Sequence, residues 1–177
     1  MKKSGFLVLV ICMAVLLTGC YHIETTDVQK YSEFYQQMNE QGHSIGRNIP
    51  KPTDTLNIEE MYLYYSDWDL VDSMYTVYVN CTYTAEEYEQ AKDAAYATAI
   101  KWEAPKNDSS SFDCESIVGD QLNEISRGGT NQYCYILFDD ADRRIVYVDL
   151  FEDALKRTSK NIPQEYLPKE LRDTHNR

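Results

Sequence analysis

The sequence predicts an α+β domain: an antiparallel sheet of about four strands with helices packed against it. Three observations lead there. Four runs rich in Tyr, Val and Ile read as strands, namely residues 61–65, 74–83, 132–138 and 144–151. Two stretches keep helical spacing of apolar residues, one ending near Gln41 and one ending before Pro105. Thr84 and Glu87 have the spacing at which each side chain satisfies the other's free backbone N–H at a helix start.

The elements follow in order. Thr26 or Asp27 can cap the first helix, which places Val28, Tyr31, Tyr35 and Met38 on one stripe and stops at Gly42. Residues 42–57 hold Gly42, Gly46, Pro50 and Pro52 and read as loop. Residues 61–65 are the first strand, and Ser66 to Asp72 a polar connection. In the run 74–83, Tyr75, Val77, Val79, Cys81 and Tyr83 share one face, with Thr76, Tyr78, Asn80 and Thr82 on the other. The second helix carries Tyr88, Ala91, Ala95, Ala99 and Trp102 on its apolar side. Its alanines permit close approach to a sheet. Residues 104–131 read as loop with a short edge strand near Glu115–Val118, a length that itself signals a missed element. Residues 132–138 and 144–151 form a hairpin around Asp139–Arg143, and 159–177 an irregular C-terminal tail.

The N-terminus has a different character. Lys2 and Lys3 precede twelve uncharged apolar residues, Phe6 to Leu17. That is the length of an export-signal core and short of the ~20 residues that span a bilayer. Leu17-Thr18-Gly19-Cys20 follows. This resembles the lipobox of bacterial lipoproteins. The resemblance implies that residues 1–19 are a signal peptide, that Cys20 becomes the diacylglycerol-bearing first residue, and that residues 20–26 are a lipidated tether to a domain over 27–158. It also implies a place on the outer face of the cytoplasmic membrane, or on an outer membrane where the organism has one. Two acyl chains hold stably where one holds only marginally. In overall style the body resembles the small lipoproteins of Gram-positive bacteria.

Composition narrows the partners. Without residues 1–19 the chain has 15 Lys and Arg against 29 Asp and Glu, a formal charge of −14. Such a surface is repelled by phosphate backbones, so no nucleic acid is expected, and by anionic head groups, so acyl chains rather than a basic patch must supply membrane contact. Cys81, Cys114 and Cys134 remain beside Cys20, and an odd number cannot all pair. Cys81 and Cys134 lie inside strand runs, where buried thiols are expected, and the sequence leaves open whether any two of the three bridge.

Catalytic signals are thin. The chain after residue 19 holds only His22, His43 and His175, and the one Cys/His pairing to consider is Cys114 with His43. No zinc spacing occurs, and neither Asp67/Asp69/Asp72 nor Asp139/Asp140/Asp142 has the glycine that a calcium loop usually carries. No metal or other cofactor is expected. The tyrosines carry more information. All 15 follow residue 20, and Tyr78, Tyr133 and Tyr135 alternate against the apolar positions, with Tyr62 and Tyr64 in similar settings. On one wet sheet face they would form a platform for sugar rings or an extended peptide; otherwise they are cross-strand pairs or lie under the first helix. The sequence therefore predicts an extracytoplasmic binding or interaction module whose candidate partners are a peptide, a carbohydrate or an envelope protein. The alternatives are an envelope enzyme acting on wall or peptide material with Asp67 and Asp69 in its site, and a structural or regulatory partner of an envelope complex.

Overall fold

The computed structural model describes residues 22–40, 49–68, 72–101, 115–118, 132–151, 159–167 and 172. It is an α+β fold. Strands β1 (His22–Thr25), β2 (Asn57–Trp68), β3 (Asp72–Thr82), β4 (Glu115–Val118), β5 (Gln132–Asp139) and β6 (Arg144–Phe151) form one antiparallel sheet in the order β1-β2-β3-β6-β5-β4. Helices α1 (Tyr31–Glu40) and α2 (Ala85–Lys101) pack on it.

Two of the six strands exceed the expected four. β4 is the short edge strand anticipated at Glu115–Val118. β1 falls where a tether was expected: His22–Thr25 pairs with Leu63–Ser66 of β2. The reason is that Leu63–Ser66 of β2 present a second edge, on the side away from β3, and β1 fills it. β2 looked short because its alternation breaks. A register shift between Ile58 and Glu60 makes Glu59 an extra residue, a bulge that reverses the parity of everything before it.

Helix α1 is entered through a 3-10 turn, Val28–Lys30, whose cap is Asp27 rather than Thr26: Asp27 Oδ1 accepts from the Gln29 N–H at 3.1 Å. The capping box of α2 is present. Thr84 N–H donates to Glu87 Oε2 at 3.0 Å, and Glu87 N–H to Thr84 Oγ1 at 3.4 Å. The Thr84 hydroxyl, and then its backbone N–H, hold the Glu87 carboxyl below the usual range. The β5–β6 turn is closed by Asp139, whose Oδ1 accepts from the N–H groups of Ala141 and Asp142. Arg143, at φ 53°, takes the left-handed conformation that this turn requires.

The sheet is buried on both faces. On the first, Tyr31, Phe34 and Met38 of α1 and Tyr88 and Ala95 of α2 cover Met61, Leu63, Tyr65, Tyr75, Val77, Val79, Cys81, Ile136, Phe138, Ile145 and Tyr147. On the second, Ile162 and Leu167 cover Tyr62, Tyr64, Tyr78, Tyr135, Leu137, Val146, Val148 and Leu150. The C-terminal tail expected over 159–177 is thus structured in its first part. Ser159–Asn161 and Gln164–Tyr166 are short 3-10 turns either side of Pro163, and together they lay a strap across the sheet.

Candidate functional site

The chemistry-bearing groups gather on the second face, and the register shows why. Antiparallel pairing sets side chains of like parity in rows across the strands. One row runs Tyr62–Tyr78–Val148–Tyr135 and the next Glu60–Asn80–Val146–Leu137. Beyond them Thr82 stands opposite Arg144, and Arg144 opposite Asp139. The polar members therefore collect at the end of the sheet nearest the β5–β6 turn.

The expected wet platform is not there. Tyr78 is 0% exposed and Tyr135 2%, while Tyr133 is half-buried against the same cluster. Their parity is the predicted one, opposite to Val79 and Cys81. What differs is the cover, which comes from the strap and not from α1. An apolar side of Leu137, Val146, Val148 and Leu150 could not be left in water, and the strap's Ile162 and Leu167 bury it.

Four ring hydroxyls on this face have a specific partner. Tyr78 donates to Glu60 Oε2 at 2.8 Å, and the Asn80 amide also reaches the Tyr78 phenol. Tyr62 donates to Glu24 Oε1 at 2.9 Å, which ties β1 to this face. Tyr135 donates to the backbone carbonyl of Tyr166 at 2.8 Å. Tyr166 stacks on Tyr78 with ring centroids 5.9 Å apart, and its hydroxyl accepts from Arg144 Nη1 at 3.1 Å. Arg144 Nη2 meets Asp142 at 2.6 Å and Asp139 at 3.3 Å. Among the described residues, two atoms in this cluster have no partner: Asn80 Oδ1, on a residue 4% exposed, and the buried Arg144 Nε.

Burial first, then the carboxylate partners, push the Tyr62 and Tyr78 phenols far above their ordinary range. They stay neutral at physiological pH and act as hydrogen-bond donors, not as proton acceptors. With a guanidinium, an amide and stacked rings, the arrangement suits recognition of polar and aromatic groups better than proton transfer.

The first face holds a separate polar group. Asp149 is 0% exposed in the row Leu63–Val77–Asp149–Cys134, and Tyr75 donates to its Oδ2 at 3.4 Å. Cys81 is a buried thiol outside any disulfide, and Cys134 is also buried. Burial pushes the Cys81 thiol up to about 12.

Of the remaining candidates, Cys20, His43, Asp69 and Cys114 lie outside the described residues, as does the side chain of Asp67. Asp139, Asp140 and Asp142 are engaged at the turn: Asp140 accepts from Lys92 at 2.7 Å and from Tyr88 at 2.6 Å, bonds that in that order hold its carboxyl low. Among the described residues no three His, Cys, Asp or Glu side chains gather as a metal site, and no helix is long and apolar enough to cross a membrane. Sequence reasoning missed Glu60, Asn80, Arg144 and Tyr166. Two signals could have found them: the polar Asn80 on the tyrosine side of its strand, and the pair Ile162 and Tyr166-Leu167 in a segment otherwise polar. No family model matches the chain, and no curated protein or solved structure matches it either.

Proposed function

We propose that the protein is a lipid-anchored extracytoplasmic binding module, held at the membrane by acyl chains on Cys20. The observation that carries this reading is the order Lys2-Lys3, an apolar run, then Leu17-Thr18-Gly19-Cys20. A binding role is supported by the chemistry of the second face, where neutral phenol donors, a guanidinium and a carboxamide converge.

The fold gives the anchor a geometric consequence. Only Tyr21 separates Cys20 from β1, so an acylated Cys20 would leave about two residues, some 7 Å of chain, between lipid and sheet. His22 pairs with Ser66, while Glu60 lies six residues further along β2, about 20 Å away. The polar end of the second face would then lie on the side of the domain away from the membrane.

Metabolic labelling with a fatty-acid probe tests the anchor. Label is expected on the parent protein and lost from Cys20→Ser, because no other thiol occupies the lipobox. Label retained on the variant overturns the assignment. A pulldown from envelope extract with the mature domain then distinguishes a binding module from the envelope-enzyme and scaffold alternatives by the partner it recovers.

A further inference from the structure

We infer that the second face of the sheet is a docking groove for an extended peptide segment, and that residues 159–167 are its self-supplied, exchangeable occupant. The inference deepens the binding-module reading by naming the partner class; it does not depend on the anchor.

The strap stands outside the sheet's hydrogen-bond ladder. Its two backbone–backbone hydrogen bonds are internal, Tyr166 N–H to the Pro163 carbonyl at 3.0 Å and Leu167 N–H to the Gln164 carbonyl at 3.2 Å. Among the described residues, none joins its backbone to the backbone of a strand. A segment that is part of a sheet is held by a ladder that opens only with the sheet. This one is held as a bound peptide is held, through side chains set in a surface.

Apolar contacts, a ring stack and side-chain hydrogen bonds hold it. Ile162 and Leu167 fill apolar positions, and Tyr166 stacks on Tyr78. The Tyr135 hydroxyl reads a main-chain carbonyl, and Arg144 reads the Tyr166 phenol. Together these select an aliphatic residue followed four positions later by tyrosine and then a second aliphatic.

The fit is incomplete. Asn80 Oδ1, an acceptor, and Arg144 Nε, a donor, are buried without partners. They share a face and stand diagonally across β3 and β6, since Asn80 pairs with Val146 and Thr82 with Arg144. Both belong to the cluster that Tyr166 closes, Arg144 by its bond to Tyr166 and Asn80 through Tyr78. A buried polar group without a partner weakens the state that buries it. An occupant bringing a carboxamide or hydroxyl, which donates and accepts together, would satisfy both atoms and displace the strap. The occupant is therefore a peptide with the pattern Ile162-x-x-x-Tyr166-Leu167 and a neutral polar side chain facing Asn80 and Arg144.

The test uses the mature chain with Leu167→Asp, which places a charge where the strap is buried, and a fluorescent synthetic peptide spanning residues 157–172. The peptide is expected to bind the variant at least about tenfold more tightly than it binds the parent, whose own strap competes; Tyr166→Ala in the peptide should weaken binding by about tenfold, as loss of a buried aromatic anchor does. Absence of binding to a variant that keeps its circular dichroism overturns the inference, and so does binding that ignores Tyr166. Hydrogen exchange on the unaltered chain keeps the question open to refutation should the variant unfold. Amides of 160–167 are expected to exchange about a hundredfold faster than those of β3 and β6. Exchange of the strap only together with those strands overturns it.

Discussion

The two faces of the sheet bury residues of similar kind under covers of different kind. On the first, α1 and α2 cover Leu63, Val77, Val79 and Ile145, and each helix satisfies its own backbone in its interior. On the second, a nine-residue strap covers Tyr62, Tyr78, Tyr135 and Val148, and one of its carbonyls, that of Tyr166, is satisfied by what lies beneath. Tyrosine suits that task because one side chain buries a ring and presents a donor. The Tyr135 hydroxyl does so directly, by meeting the Tyr166 carbonyl. The first face uses tyrosine hydroxyls as well, but between sheet residues or to surrounding loops: Tyr83 pairs with Tyr147 at 3.0 Å, and Tyr31 donates to the Pro50 carbonyl. A helical cover is therefore an autonomous layer, whereas the strap is a layer whose order depends on the sheet.

The sharpest way to break that contrast is to delete equally buried side chains, one beneath the helices and one in the strap. Leu63 and Leu167 are both 0% exposed. Leu63→Ala leaves a cavity between rigid layers and should cost about 2–5 kcal/mol, seen as a cooperative fall in melting temperature. Leu167→Ala should cost less, because the strap can settle or lift, and its effect should appear as faster amide exchange over 160–167 with β3 unchanged. Equal, global losses would mean that strap and helices belong to one cooperative unit.

Smaller effects sharpen the comparison. Tyr135→Phe keeps the ring and leaves the Tyr166 carbonyl without its donor, so about 0.5–1.5 kcal/mol should be lost in chemical denaturation, and from the strap first. On the helical side, Thr84→Ala removes the cap of α2 and should cost about 1 kcal/mol. The two losses are similar in size and differ in reach: loosening α2 should raise exchange in the helix and spare the strap.

The fold was legible where local signals agree with tertiary packing. The parity of Tyr75, Val77, Val79 and Cys81 against Tyr78 was correct because a strand's period admits only two faces. The Thr84–Glu87 box was correct because its partners are three residues apart. β1 and the near half of β2 were missed for the converse reason. β1 pairs with residues some forty positions away, and the bulge at Glu59 hides the alternation at the start of β2. The candidate site was half legible. Tyr78 and Tyr135 could be assigned to one face, but whether that face is wet depends on Ile162 and Leu167. These two residues in a polar segment acquire meaning only once the sheet exists to receive them.

The smallest expected effect is an absence of change, at Cys81. This thiol lies on the helical face, 0% exposed, and burial raises its pKa to about 12. The unfolded thiol titrates near 8.5, so the native state is favoured fully below that pH, and the contribution is lost as pH rises through the folded value. At pH 8 the native thiol is protonated and shielded, and an alkylating reagent should reach it only when the helical cover opens. Peptide-level mass spectrometry, which separates Cys81 from the other cysteines, then reports on one face alone. Leu63→Ala should accelerate Cys81 alkylation, since it lowers the free energy of the opening that exposes the thiol. Leu167→Ala should leave the rate as it is in the parent, because lifting the strap uncovers the tyrosine face and the sheet itself still stands between that face and Cys81. If both substitutions accelerate the reaction equally, the sheet does not separate the two covers, and the contrast between them fails.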